Sequence, residues 1–356
     1  MKPVKCFTSF TFSYLGRATI LAETLKAAHP EWEIYALMVD EPPPGLDVAV
    51  AMRHFDRVVY AKDLEIPRWK AWLFKHDIVE ASTAVKGRMS RYLLSLGATH
   101  VVYLDPDIAV FHPLDRVIEK LEDRSVVLTP HQVSPNSQLG HIRDNEMAAL
   151  KYGIFNLGFV AIKNDETGRA FAEWWDARTY EACYDEVETG IFTDQKWCDL
   201  VPALFPRVYI ERDSGFNVAS WNLSTRIIRF SDTGEIVVNG TPLKFYHFTK
   251  VNGAGDLMTE KYAADNIEAL EIWNWYKRAL IAHANPAIPK NYWSFGTFDN
   301  GTKIPKAARV LFRGRTDLYE NFNNPYETGP GSYFDWLKTH EPQVLEGNAV
   351  KGYEPV

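Results

Sequence analysis

Apolar positions in this chain follow two spacings that take turns along most of its length. Val4 to Phe12 is apolar with Ser and Thr interspersed, which predicts a strand and its loop. Tyr14 to Ala28 then carries a stripe at Tyr14, Ala18, Leu21 and Leu25, the spacing of a helix face, and Pro30 stops it. Glu33 to Val39 predicts a second strand, closed by Asp40-Glu41 and the breaker run Pro42-Pro43-Pro44-Gly45. Further strands are expected at Arg57 to Tyr60, Ser125 to Thr129, Phe155 to Ile162, Phe205 to Ile210 and, as the last core strand, Leu243 to Phe248. Between them lie a long helical region from Lys70 to Leu96, broken near Gly87, and helices at Leu114 to Leu121 and Thr167 to Ala177. Arg226 to Phe230 and Ile236 to Val238 read as a hairpin at the sheet edge, and Tyr262 to Ala282 as one long helix. Strands alternating with helices predict an α/β sandwich around a mostly parallel sheet.

One run departs from the alternation. Val101-Val102-Tyr103-Leu104 is apolar or aromatic at every position, as in a strand buried on both faces, and it ends abruptly at Asp105-Pro106-Asp107. Pro106 has no N–H and a fixed φ, so it marks the point where the chain leaves the sheet. The acids therefore lie at a carboxyl end, where open α/β sheets keep their ligands. Residues two apart in extended backbone share a face, so Asp105 and Asp107 can converge. Two such carboxylates at an apolar rim need a cation or donor groups to offset repulsion and lost hydration. Hard oxygen ligands suit Mg²⁺ or Mn²⁺, which leave coordination positions for water and phosphate oxygens. Asp-Pro-Asp is equally an ordinary turn after a strand, so the tripeptide alone decides nothing.

Composition narrows the classes. With 356 residues, 46% apolar and 24% charged, the chain is globular and long enough for one large domain with an extension or two modest ones. A formal charge of -7 argues against nucleic acid as a partner, whereas a cation and a few local basic residues suffice for a small phosphorylated ligand. Cys6, Cys183 and Cys198 are too few and too scattered for a zinc site or a disulfide framework, which points to a reducing, cytoplasmic compartment. Polar residues interrupt the apolar stretch after Lys2 and Lys5, so no signal peptide is expected, and no run approaches the length of a membrane span. A peripheral contact with the inner face of a membrane needs only a patch and stays open.

Tyr103-Leu104-Asp105-Pro106-Asp107-Ile108-Ala109-Val110-Phe111 resembles the Asp-x-Asp motif of GT-A fold glycosyltransferases, in the version seen in retaining enzymes related to glycosyltransferase family 8. The resemblance implies that Asp107 is the firmer metal ligand and Asp105 one shared between metal and donor. It continues in order along the chain. Asn156-Leu157-Gly158 is similar to the family's Asn-x-Gly segment lining the donor sugar, and Asp194-Gln195 to its Asp-Gln pair near the anomeric carbon. His247 matches the late histidine that supplies the third protein ligand. Here the pattern departs from the family's His-x-x-Gly-x-x-Lys, because Lys250 stands where Gly is expected and Gly253 where Lys is expected. The family's diphosphate lysine is therefore not carried over, and Lys250 is the local candidate for that charge. The same resemblance implies donor contacts for Asp40 on the nucleoside side, for Thr8, and for Lys86 and Arg88 in the helix before the central strand.

Together these residues imply a GT-A (nucleotide-diphospho-sugar transferase) α/β/α sandwich over residues 1–255, followed by a helical, aromatic-rich appendage over 256–356. The implied reaction is metal-dependent transfer of a glycosyl group from a nucleoside diphosphate sugar, with retention, using Mn²⁺ or Mg²⁺. The acceptor would be a glycan, a polysaccharide or a lipid-linked saccharide. Gln195 and Asp194 would serve the reacting centre, with the metal on Asp105, Asp107 and His247. On the acceptor side, His131 in the polar segment Pro130 to Met147 and the Asn217, Trp221 and Asn222 stretch offer an indole face and amides, although a packed loop fits the same residues. Aromatic residues beyond Gly255 are expected either to cover the acceptor side or to build the appendage's own core. A sugar-1-phosphate nucleotidyltransferase or a catalytically silent sugar-nucleotide-binding protein would use a related scaffold, but Thr8 to Arg17 lacks the glycine-rich basic loop of the former.

Overall fold

The computed structural model describes residues 4–263 and 266–349. Its strands and helices, in chain order, begin with β1 (Lys5–Phe10), α1 (Leu15–Ala28), β2 (Glu33–Met38), β3 (Arg57–Tyr60), α2 (Trp69–Phe74), α3 (Ile78–Ala84) and α4 (Lys86–Ser95). Next come β4 (His100–Leu104), β5 (Ile108–Val110), α5 (Asp115–Asp123), β6 (Val126–Pro130), β7 (Phe155–Lys163), α6 (Glu166–Glu181), β8 (Val208–Ile210), β9 (Val218–Ala219) and β10 (Phe245–His247). After these follow α7 (Ala254–Ala263), α8 (Ile267–Ala282), α9 (Lys306–Gly314), α10 (Thr316–Asn321) and α11 (Tyr333–His340).

Seven strands form the central sheet in the order β8-β6-β7-β4-β1-β2-β3. β1 pairs in parallel with β2 and β4, β2 with β3, and β8 with β6, while β7 is antiparallel to both neighbours. The sheet is therefore mixed but mostly parallel, and both faces are covered. The unbroken apolar run of β4 has its reason in that burial. Val101 and Tyr103 face one core with Met89, Leu93 and Trp175, whereas Val102 and Leu104 face the other with Ala18, Leu21 and Leu25.

Three expectations change. The chain does leave the central sheet at Pro106, yet Ile108 starts β5 in a second, three-stranded sheet of order β9-β10-β5. The stretch expected as the last core strand is the middle strand of that small sheet, paired with β5 so that His247 lies opposite Ile108 and Tyr246 opposite Ala109. The hairpin at Ile228–Phe230 and Ile236–Val238 belongs to a separate three-stranded sheet, not to the edge of the central one. The helix expected from Tyr262 to Ala282 is two helices, α7 and α8, on either side of residues outside the described range. The differences in the strands share a cause: periodicity reports the burial of a strand but not which sheet it joins.

The helical region before β4 divides into α2, α3 and α4, with one break after Phe74 and another at Val85, near Gly87 as expected. Gly87 serves packing. A Cβ built there would lie 2.4 Å from the Asp176 backbone N, so α4 and α6 touch backbone to backbone at this point. The contact fixes the height of α4, whose first residue is Lys86.

The segment after Gly255 is continuous with the rest. α8 closes over the small sheet, with the Phe248 and Tyr276 rings stacked at 3.9 Å and Trp273 buried beside them. Farther on, Phe298, Phe312, Tyr326 and Tyr333 surround Phe74 of α2, so the appendage's core includes a residue from the first part of the chain.

Replacing Gly87 by Ala should wedge α4 from α6 and lower stability by about 1–3 kcal/mol, the usual cost of overpacking. Urea unfolding checks this, and an unchanged midpoint would remove Gly87 as the closest-approach residue.

Candidate functional site

A cavity of about 830 Å³ opens at the carboxyl ends of β1 and β4. Asp105 and Asp107 project from the turn that links the two sheets. The turn is held by the Asp105 N–H donating to Gly158 O at 2.8 Å and by the Phe248 N–H donating to Asp107 O at 2.8 Å. Since β10 runs alongside β5, His247 arrives beside the acids. Ligand atoms of Asp105, Asp107 and His247 all lie within 4.8 Å of one another.

Orientation of the imidazole follows from its neighbours. The Asn156 amide nitrogen lies 3.2 Å from Gln195 Oε1, which leaves its oxygen to accept from His247 Nδ1–H at 3.1 Å and from the Gly158 N–H at 3.3 Å. His247 Nε2 therefore points at the acids, 3.0 Å from Asp107 Oδ1 and 3.6 Å from Asp105 Oδ2. Burial favours the neutral forms of both groups, but their mutual attraction outweighs it. His247 is held above the ordinary imidazole range and Asp107 below the ordinary carboxylate range. A proton on Nε2 thus occupies the place a divalent cation would take. Two carboxylates and one oriented imidazole fit Mn²⁺ or Mg²⁺ in donor type, with Asn156 as the group that fixes the histidine tautomer.

A second charged group stands behind the first. Lys86 is 4% exposed, donates to Leu157 O at 3.0 Å, and lies 3.4 Å from both Asp105 Oδ1 and Asp194 Oδ2. Burial lowers the affinity of its amine for a proton, yet the two acids raise it further, and Lys86 ends above the usual lysine range. Tyr103 donates its hydroxyl to Asp105 Oδ1 at 2.5 Å. Burial pushes Asp194 up to about 6, with Lys86 opposing and Asp105 adding to the rise. Gln195 is held by its Nε2 donating to Tyr152 O at 2.9 Å.

Of the residues singled out by sequence, Lys86, Asp105, Asp107, Asn156, Gly158, Asp194, Gln195, Trp221, His247 and Lys250 line this cavity. The other six do not line it. Arg88 turns toward Asp176, 3.0 Å away, and to the Glu65 carbonyl. Thr8 is fully buried, and Asp40 is 2% exposed with its oxygens accepting from the Phe12 N–H at 3.2 Å. His131 packs edge-on against Trp221, Asn222 ties His131 O to Asn217 O, and Asn217 is buried. His131, Asn217 and Asn222 fit the packed-loop reading and Asp40 the turn one, whereas Arg88 pairs from within α4 and Thr8 is buried within β1.

Sequence reasoning missed several lining residues. Tyr103 was within reach of it, because it shares the i, i+2 face of Asp105. Thr11, Ser13 and Tyr14 follow β1 at the same sheet rim as the acids. Asn291, Trp293, Thr297, Lys303, Lys306 and Arg309 enter from far along the chain. Of these, Trp293 is one of the aromatic residues beyond Gly255 that were expected either to cover the cleft or to build the appendage's core; no local signal could place the others there.

No family model matches. The chain is 31% identical over 246 residues to the uncharacterized protein YfnF of Bacillus subtilis (strain 168), which spans 66% of this chain and 77% of that relative. It belongs to the YfnF family. YfnD of the same organism is 25% identical over 264 residues, 71% of this chain and 80% of that protein. Among solved structures, galactosyltransferase LgtC with donor and acceptor sugar analogues overlaps at a TM-score of 0.45 and 17% identity, covering 81% of this chain and 98% of that one. GlyE of Streptococcus pneumoniae TIGR4, a glycosyltransferase, overlaps at 0.39 and 14%, covering 79% and 64%. These overlaps are coarse. No helix among the described residues is long and apolar enough to cross a membrane.

Two predictions follow from the geometry. A Cβ at Gly158 would lie 2.6 Å from His247 Cε1 and 2.8 Å from Asn156 Oδ1, so Gly158→Ala should displace the imidazole from the acids. Mn²⁺ affinity, read by titration calorimetry, should fall about 10–100-fold, as when a group supporting a ligand is lost, while far-UV circular dichroism stays unchanged. Undiminished affinity would remove His247 from the metal set.

The second concerns Asp40, which burial pushes up to about 8, Phe12 opposing and Glu41 adding. Its folded form keeps a proton that the unfolded chain releases near pH 4. Stability is therefore fullest below the unfolded value and declines as pH rises toward about 8, levelling off above. In Asp40→Asn that decline should flatten, as measured by urea unfolding at pH 5, 7 and 9. A variant whose slope matches the parent's would show that Asp40 is already ionised in the fold.

Proposed function

We propose that this protein is a GT-A fold glycosyltransferase that moves a sugar from a nucleoside diphosphate donor to a saccharide acceptor. The observation that carries the reading is the convergence of the Asp-x-Asp pair, the Asn-x-Gly segment, the Asp-Gln pair and the late histidine at one cavity rim. Those four stretches are separated in sequence and resemble that enzyme class in order. Their meeting in space is what the chemistry requires.

In this mechanism Asp105, Asp107 and His247 would hold a divalent cation, which would supply positive charge against the departing diphosphate. Lys250, which pairs with no carboxylate among the described residues, and Lys86 add positive field at the same end. The bond between the anomeric carbon and the phosphate oxygen breaks, its electron pair leaving with the diphosphate. The acceptor hydroxyl forms the new bond on the same face, and its proton passes to the diphosphate oxygen. Retention needs no covalent nucleophile on that route. Gln195, fixed by Asn156 and the Tyr152 carbonyl, offers its amide to the positive charge on the sugar ring, and Asp194 with Lys86 orients the surroundings.

Thermal-shift screening of nucleoside diphosphate sugars with Mn²⁺ tests the reading, because a ligand that binds only the folded state raises the melting temperature. The parent should show a shift with one donor that EDTA abolishes, and Asp107→Ala should show none while still unfolding in a single cooperative transition without ligand. Metal-dependent donor binding that survives in Asp107→Ala would refute the assignment. With the donor identified, Gln195→Ala should lower kcat by about two orders of magnitude with little change in donor KM. The anomeric configuration of the product, read by proton NMR, then checks the route: inversion would shift the role of base to Asp194.

A further inference from the structure

The cavity has a second charged wall, distant in sequence from the metal end. Asn291 to Arg309 runs along it, with Gly296 and Ile304 joined by a backbone hydrogen bond at 3.0 Å and Thr297 bridging Lys303. Its charges do not balance. Arg309 is 2% exposed, and its guanidinium donates to the carbonyls of Phe74, His76 and Phe295 at 3.2, 2.8 and 2.6 Å and stacks on Trp293 at 4.6 Å. It pairs with no carboxylate among the described residues. Carbonyl dipoles hold the group in place but leave its net charge standing, so the wall stays positive in a place water reaches poorly.

Lys303 adds to it. The side chain is exposed at the cavity and has no carboxylate partner among the described residues. Lys306 is offset, lying 3.4 Å from Asp77 Oδ2. The remaining acids that line the cavity are Asp105, Asp107 and Asp194, and these are engaged by His247 and Lys86. Neither Arg309, which is buried, nor Lys303, which is exposed, thus has a carboxylate within ion-pair distance among the described residues, although Asp77 and Glu80 act on Arg309 from farther off. Trp293 offers an aromatic surface between the wall and the cavity, suited to the apolar face of a sugar ring.

We propose that this wall binds an anionic group, a carboxylate or a phosphate, carried by the saccharide acceptor. The inference rests on the glycosyltransferase reading for the word acceptor, but the charge preference itself does not. Arg309 sets the positive potential, Lys303 closes on the anion, and Trp293 receives the ring that bears it. The substrate class is then an acidic saccharide, such as a uronic-acid or sugar-phosphate unit, in preference to a neutral one.

The test uses probes of matched shape and different charge: methyl β-glucuronide, methyl β-glucoside and glucose 6-phosphate. Binding to the full chain is followed by NMR titration at low and high NaCl. At low salt the two anionic probes should bind at least tenfold more tightly than the neutral glucoside, and salt should erase most of the difference. Lys303→Glu should abolish the preference and Lys303→Arg should keep it. In Asp107→Ala the preference should persist, since that substitution removes the metal end only. Equal binding of charged and neutral probes to the parent, or an unchanged preference in Lys303→Glu, would overturn the proposal. So would loss of the preference in Asp107→Ala, which would put the anion at the metal end. Donor binding in Asp107→Ala tests the transferase reading and charge preference in Lys303→Glu tests this one, so the two fail separately.

Discussion

Three carboxylates, Asp105, Asp107 and Asp194, share one rim of the cavity, and the site exists only because positive groups stand among them. Lys86 sits between Asp105 and Asp194 at 3.4 Å from each, and His247 lies 3.0 Å from Asp107. Without these partners, burial would drive the acids to their neutral forms and the rim would lose its capacity for a cation. Each partner depends in turn on a backbone element. Lys86 begins α4, whose position is set where Gly87 meets Asp176, and His247 ends β10, whose register with β5 is fixed by backbone pairing.

The small sheet is the device that makes this work. The chain leaves the central sheet at Asp105, turns at Pro106 and enters β5 within three residues, so the acids lie at the joint between two sheets. β10 then brings a residue from much later in the chain to that joint, and α8 packs over it with Tyr276 and Trp273. Metal binding and the packing of the later helices are thus mechanically linked: a change that loosens α8 loosens the strand that carries His247.

The appendage is fastened through charge as well as through its aromatic core. Arg313 pairs with Glu80 of α3 at 3.1 Å and also with Glu186, and the side chains of Arg313 and Glu80 are 4% and 1% exposed. Removing one member of such a buried pair costs more than the pair itself contributes, because it leaves the other charge stranded. The same region holds Arg309 on carbonyl groups and aromatic rings, so one arginine anchors the appendage and its neighbour charges the cavity wall.

How far the sequence determined the result can be argued from particular residues. The central strand was legible because burial on both faces leaves an unbroken apolar run, and its end was legible because Pro106 interrupts it. Asp105 and Asp107 were expected together from the two-residue repeat of extended backbone, but they meet in a turn closed by the Ile108 N–H donating to Asp105 O at 3.1 Å. His247, Asn156 and Asp194 were candidates only through resemblance to an enzyme class; their approach to the acids is a matter of strand register and helix height. Arg88 shows the limit of such transfer, for it shares a helix with Lys86 yet faces Asp176 on the other side. A helix turns about 100° per residue, so positions two apart point to nearly opposite sides. Asp40 stands just past β2 and Thr8 lies within β1, but neither lines the cavity, because burial depends on which neighbours cover the strand. The joining of β5 to β10 and the arrival of Trp293, Lys303 and Arg309 at the cavity were decided by tertiary structure alone. Contacts of that kind are chosen by packing among elements that no local pattern encodes.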